Sequence, residues 1–251
     1  MARAAARDRG GARLAARRPR LKGALAWLAW LAVAAAGAFL ALQLSYLARV
    51  WWWRDHDPAM TAFMERRLEE MRRKDPHARL RHAWVPYSRI STSLKRAVVV
   101  AEDSRFVDHD GFDWEAIEKA REKNLKRGRI VAGGSTISQQ LAKNLFLSGA
   151  RTPWRKGEEA LITVMIEQVM DKRRILEIYL NVIEWGDGIF GAEAAARHYF
   201  GVGAAAVGPE AAARLAAMIP NPRFYDRHRS TRWLERRTQT LLARMPLAEL
   251  P

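Results

Sequence analysis

A glutamate and an aspartate stand side by side at Glu102 and Asp103, just past the apolar run 97–101. A polar turn follows that carries Arg105, Phe106, His109, Gly111 and Asp113. A carboxylate at the edge of an apolar wall holds a perturbed pKa and reaches a substrate hydroxyl, as a general base must. The other reading is a helix end capped locally by Asp103 and Ser104, the commoner fate of such a pair. Residues 133–144 then read Gly-Gly-Ser-Thr-Ile-Ser-Gln-Gln-Leu-Ala-Lys-Asn. At helical period Ile137, Leu141 and Leu145 fall on one stripe, and Thr136, Gln139, Gln140 and Lys143 on another, a row of donors. Gly133 and Gly134 before it let the backbone approach a ligand, and a helix N-terminus there favours an anion. A third stretch brings Arg151, Arg155 and Lys156 close to Glu159. Alone, that run is a solvated charged loop; beside a phosphate it is a clamp. Glu159 opens a nearly continuous apolar helix reaching Met170, so a buried element should hold it.

Taken together and in this order, these stretches resemble the glycosyltransferase domain of the peptidoglycan polymerases. The pattern Glu-Asp-x-x-Phe-x-x-His-x-Gly-x-Asp is met by Glu102, Asp103, Phe106, His109, Gly111 and Asp113. A Gly-x-Ser-Thr-Ile-x-Gln-Gln-Leu-x-Lys-Asn pattern is met from Gly133 onward, with Ser138 where relatives often carry Thr. The likeness continues through 174–181 (Arg-Ile-Leu-Glu-Ile-Tyr-Leu-Asn) and 216–222 (Ala-Ala-Met-Ile-Pro-Asn-Pro). It is nearest to the monofunctional, membrane-anchored biosynthetic peptidoglycan transglycosylases. The resemblance implies a mainly α fold, with a lysozyme-like large lobe, a smaller membrane-facing lobe and a cleft between them. It implies polymerisation of lipid II into β-1,4 glycan with release of undecaprenyl pyrophosphate. Glu102 is then the base and Glu159 an electrostatic partner at the catalytic centre. Asp103, Phe106, Ser135, Thr136, Gln139, Gln140, Lys143, Asn144, Arg151, Arg155 and Lys156 form the substrate-binding set. His109 is expected to hydrogen-bond within its own turn. Mg²⁺ or Mn²⁺ bridging pyrophosphate oxygens suits that chemistry, with metal ligands unassigned and no organic cofactor. A lysozyme-like hydrolase needs no cationic clamp, and a non-catalytic scaffold leaves the 102–113 constellation without a purpose.

The elements that must position these residues begin with an anchor. The net charge is +16, which raises the question of nucleic acid. Eight of the basic residues, however, crowd into 1–22 against the single acid Asp8, and 23–48 follows without a charge. That arrangement reads as a cytoplasmic tail and a signal anchor with the remainder outside; the resemblance implies that the membrane is the bacterial inner membrane and the remainder periplasmic. Apolar sequence continues past the small residues 34–38, which favours an uncleaved anchor over a signal peptide. Trp27 and Trp30 near one end, and Trp51 to Trp53 beyond the other, suit interfacial belts. A linker and helix over 49–83, starting at Pro58, lead to the catalytic domain, 84–251. Ser91 should cap a helix that delivers Glu102 at its end, and further helices are expected over 158–170, 173–181, 191–199 and 209–218. No segment reads as a strand ladder. The chain has no Cys, and the Ser-x-x-Lys and Lys-Thr-Gly motifs of a transpeptidase module are missing from it. Lys119, Arg121, Lys123, Lys126, Arg127 and Arg129 are expected to lie against anionic lipid. Expected partners are lipid II, the growing glycan, the membrane and cell-wall synthesis or divisome proteins, with no nucleic acid.

Overall fold

The computed structural model describes residues 19–129, 131, 133–147, 149 and 152–251. The expected basic tail lies outside the described residues as far as residue 18, and Arg151 and Ile130 lie outside them too. Helix α1 runs from Pro19 to Trp53. Its stretch Gly23–Trp53 is long and apolar enough to cross a membrane. The part of α1 up to Ser45 forms one unit, and a second, compact unit runs from Tyr46 to Pro251.

The compact unit is mainly helical, and side chains at its helix starts explain most of the boundaries. Thr61 accepts from the Met64 N–H and starts α2 (Ala62–Arg72). The helix therefore begins four residues after Pro58, where sequence reading placed it. Ser91 accepts from the Leu94 N–H and starts α3 (Thr92–Glu102), as expected. Asp113 caps α4 (Trp114–Arg127) through the Ala116 N–H, and Gly128, with φ of 62°, ends it. Thr136 and Gln139 form a reciprocal capping box at the head of α5 (Ile137–Phe146). Thr152 caps α6 (Pro153–Val169), whose first helical residue is Pro153. The helix thus takes in Arg155 and Lys156, which sequence reading left in a loop.

Asp171 caps α7 (Lys172–Val182). Helices α8 (Ala192–Phe200), α9 (Pro209–Met218), α10 (Pro222–Arg227) and α11 (Arg232–Arg244) complete the unit. A small sheet also appears where no strand was expected: β1 (Arg81–His82), β2 (Glu184–Gly186) and β3 (Ile189–Phe190), in the order β1-β3-β2. β1 runs parallel to β3 and β2 antiparallel to it. Strands of two or three residues are too short to show an alternating pattern.

Three helices carry the core. On α3, Leu94, Ala97, Val98 and Val99 are fully buried; on α5, Ile137, Leu141 and Ala142; on α7, Ile175, Leu176, Ile178, Tyr179 and Leu180. Each fully buried aliphatic side chain contributes about 1.5–3 kcal/mol. α3 packs on α9 and α11, while α5 packs on α6 and α7. The C-terminal end of α3 meets α5 through side chains, Asp103 on the Ile137 N–H and Glu102 on Gln140.

Candidate active site

Glu102 is the last residue of α3. Its Oε2 accepts from Gln140 Nε2 at 2.8 Å, and Gln140 Oε1 accepts from the Tyr179 hydroxyl at 3.0 Å. Tyr179 is fully buried on α7, and burial holds its hydroxyl well above the ordinary tyrosine range. It thus remains a donor that fixes the Gln140 amide, which in turn fixes the carboxylate. Part of Glu102 stays accessible, yet the protein around it is dense. Desolvation raises its pKa, while the Gln140 hydrogen bond and the charges of Arg237 and Lys143 pull it back and Asp103 adds to the rise. The result is a carboxylate with more proton affinity than a solvated glutamate, held in one orientation.

Asp103 faces inward. It is buried, accepts from the Ile137 N–H in the first turn of α5 at 3.0 Å, and takes His109 Nε2 at 3.0 Å. His109 Nδ1 accepts from the Gly111 N–H, so the ring is the Nε2–H tautomer, bonded within its turn as expected. Gly111 has φ of +88°, and a Cβ there would meet Thr163 Cγ2 at 2.8 Å. Its carbonyl accepts from Thr136 Oγ1 at 2.7 Å. Phe106 is fully buried, with Lys172 Nζ 4.7 Å above its ring. Asp113 lies beside Arg105, whose guanidinium lowers its pKa.

The donor row on α5 divides. Thr136 and Gln139 are buried and occupied with each other, whereas Gln140 and Lys143 face Glu102. Gly133 has open space around it, but a Cβ on Gly134 would lie 2.8 Å from Ile117 Cα. The room at Gly134 is therefore taken by the backbone of α4 and not by a ligand. Ser135 is exposed at the head of α5, and Asn144 is buried on it.

Beyond Lys143 lies the cationic cluster. Glu159 is 3% exposed, pairs with Arg155 Nη1 at 2.7 Å and makes a close ion pair with Lys156. Arg155 Nε is buried without a partner, a donor in place for an anion. Burial lowers the Lys143 pKa, Arg155 and Lys156 lower it further, and Glu159 and Glu102 oppose them. Lys143 thus lies within the electrostatic reach of both carboxylates, Glu102 on one side and Glu159 with its cations on the other. Both Glu159 oxygens are engaged, and among the described residues no three His, Asp or Glu side chains gather as metal ligands.

One participant escaped sequence reading. Arg237 of α11 donates to the Ala101 carbonyl at 3.2 Å and sets a positive charge beside Glu102. Its neighbours in sequence are Arg232, Arg236 and Arg244, and nothing in that run distinguishes it; only the packing of α11 on α3 does.

The family described as Transglycosylase matches residues 67–246. The biosynthetic peptidoglycan transglycosylase of Chromobacterium violaceum is 62% identical over 214 residues, covering 85% of this chain and 94% of that protein. Those of Dechloromonas aromatica (60% over 225 residues, 90% and 97% covered) and Laribacter hongkongensis (58% over 227 residues, 90% and 100% covered) are also similar. With a family match over 67–246 and this extent of likeness, the chain belongs to the transglycosylase family.

Proposed function

We propose that this glycosyltransferase of peptidoglycan synthesis polymerises lipid II, with Glu102 as general base on the acceptor 4-hydroxyl. The acceptor oxygen attacks the anomeric carbon of the growing chain, and its proton passes to Glu102. The bond from that carbon to the undecaprenyl pyrophosphate breaks, and the electron pair leaves with the phosphate. Attack opposite an α-linked leaving group inverts the centre and yields a β-1,4 link. Lys143, Arg155 and Lys156 take the charge that develops on the pyrophosphate, with Arg151 as a further cation. Glu159 holds Arg155 and Lys156 in place. A divalent ion, if used, travels on the substrate phosphates. Helix α1 anchors the chain in the bacterial inner membrane with the N-terminus cytoplasmic, so that the site meets the lipid carrier outside. Cell-wall synthesis or divisome proteins are its partners there.

The observation that carries this reading is the joining of two features by Lys143. One is a desolvated, amide-held carboxylate; the other is a half-buried Arg155 and an exposed Lys156 paired on the buried Glu159, with the Arg155 Nε unpartnered. The test is polymerisation of fluorescent lipid II by the detergent-solubilised full-length protein, wild type against Glu102→Gln, with Mg²⁺ present. Long glycan from the wild type and a loss of about 10²–10⁴ in rate for the variant are expected. Degradation of finished glycan without polymerisation would overturn the reading in favour of a hydrolase.

A further inference from the structure

The foot of α1 and the start of α2 border an open pocket of about 370 Å³, lined by Arg49, Trp52, Trp53, Met60, Glu65 and Leu145 among others. The volume falls in the range of small-ligand sites, about 300–1,000 Å³. Its walls are aromatic and aliphatic, and its two charges are of opposite sign. Arg49 and Glu65 are both exposed, and among the described residues neither has an ion-pair partner. The indoles are held in place: Trp52 stacks on His56 with ring centroids 3.6 Å apart, and Trp53 lies 5.2 Å from Phe146. No rotamer freedom needs to be lost there for a ligand to bind.

The level of the pocket in the membrane follows from helix rise. From Trp30 to Trp51, α1 advances 21 residues, about 32 Å, which matches a hydrocarbon core of about 30 Å. With aromatic residues marking both interfaces, Trp51 to Trp53 stand where phospholipid headgroups lie. We propose that this pocket binds the headgroup of a zwitterionic phospholipid. The phosphate meets the Arg49 guanidinium, the ammonium meets the Glu65 carboxylate, and the indoles face the ammonium and the glycerol. An anionic headgroup satisfies Arg49 but sets nothing positive against Glu65, and a polyprenyl chain uses neither charge. The inference rests on α1 as a membrane-spanning helix and is independent of the chemistry at Glu102.

The test offers the full-length protein, purified in detergent, equimolar dioleoyl phosphatidylethanolamine and dioleoyl phosphatidylglycerol, and reads the retained lipid by native mass spectrometry. The wild type should retain the ethanolamine lipid about fivefold over the glycerol lipid, the ratio an exposed ion pair supplies. Glu65→Gln should abolish that preference, and Arg49→Gln should weaken retention of both lipids. Thermal unfolding at the wild-type temperature certifies that these exposed-site variants are folded. Equal retention of the two lipids by the wild type, or a preference that survives Glu65→Gln, would overturn the proposal.

Discussion

Replacing Gln140 by Leu removes the amide that stands between Glu102 and Tyr179 while keeping side-chain bulk. The amide donates to the carboxylate at 2.8 Å and accepts from the tyrosine at 3.0 Å. A hydrogen bond to a charged acceptor is worth about 1.5–3 kcal/mol. Its loss acts only on the ionised form, so it adds to the rise that burial already imposes on Glu102. Divided by 1.36 kcal/mol per unit, the change moves the acid limb of kcat/KM toward neutrality by about one to two pH units. The same substitution strands the Tyr179 hydroxyl in the core, a penalty of about 1–3 kcal/mol. Two measurements follow: initial rates of lipid II polymerisation across pH 5 to 9, and thermal unfolding of the same preparation. The expected variant is active on the alkaline side, inactive at mildly acid pH where the wild type works, and less stable. An acid limb that coincides with the wild type in a folded, active variant would refute the role given to Gln140, and with it the idea that Glu102 carries the limb.

Glu102→Gln should slow polymerisation by about 10²–10⁴ and yet raise the unfolding temperature. A folded pKa raised above the unfolded one means that ionisation opposes folding, so the gain is present above the folded pKa and disappears below the unfolded one; unfolding at pH 8 and pH 4 checks both signs. Arg237→Gln should lower kcat and move the acid limb in the same direction as Gln140→Leu, because it too removes a stabiliser of the carboxylate. Glu159→Gln should cost about 1–3 kcal/mol of stability, since it leaves the half-buried Arg155 without its carboxylate, and should weaken lipid II binding in a filter or fluorescence assay. Neutralising Lys123, Arg127, Arg129 and Lys119 should weaken binding of residues 46–251 to anionic vesicles. The effect should be modest, because Lys119 is already paired with Glu115 within α4.

Local rules carried the reading of the helices. Ser91 announces the start of α3 and Pro209 that of α9, and both act within one turn of themselves. What could not be read depends on elements distant in sequence. Thr136 and Gln139 have the donor chemistry expected at a ligand face, but a capping box turns them onto each other, leaving Gln140 and Lys143 to face Glu102. Gly134 resembles a ligand-approach glycine until Ile117 is seen against it. The relay from Tyr179 to Glu102 joins three helices, and the sheet joins Arg81 to Ile189. Motif resemblance located the carboxylates and cations, while their hydrogen-bond partners required the fold.

The contact between Arg237 and the Ala101 carbonyl spans 136 residues of sequence, and this has a consequence for biogenesis. A chain made and exported from its N-terminus presents Glu102 first and Arg237 much later. At about 5–20 residues per second the interval is roughly 7 to 27 seconds. Throughout it, α3 exists without the helix that covers its end, and the carboxylate lacks one of its two cationic neighbours. The electrostatic surroundings of Glu102 are therefore complete only once α11 has docked on α3.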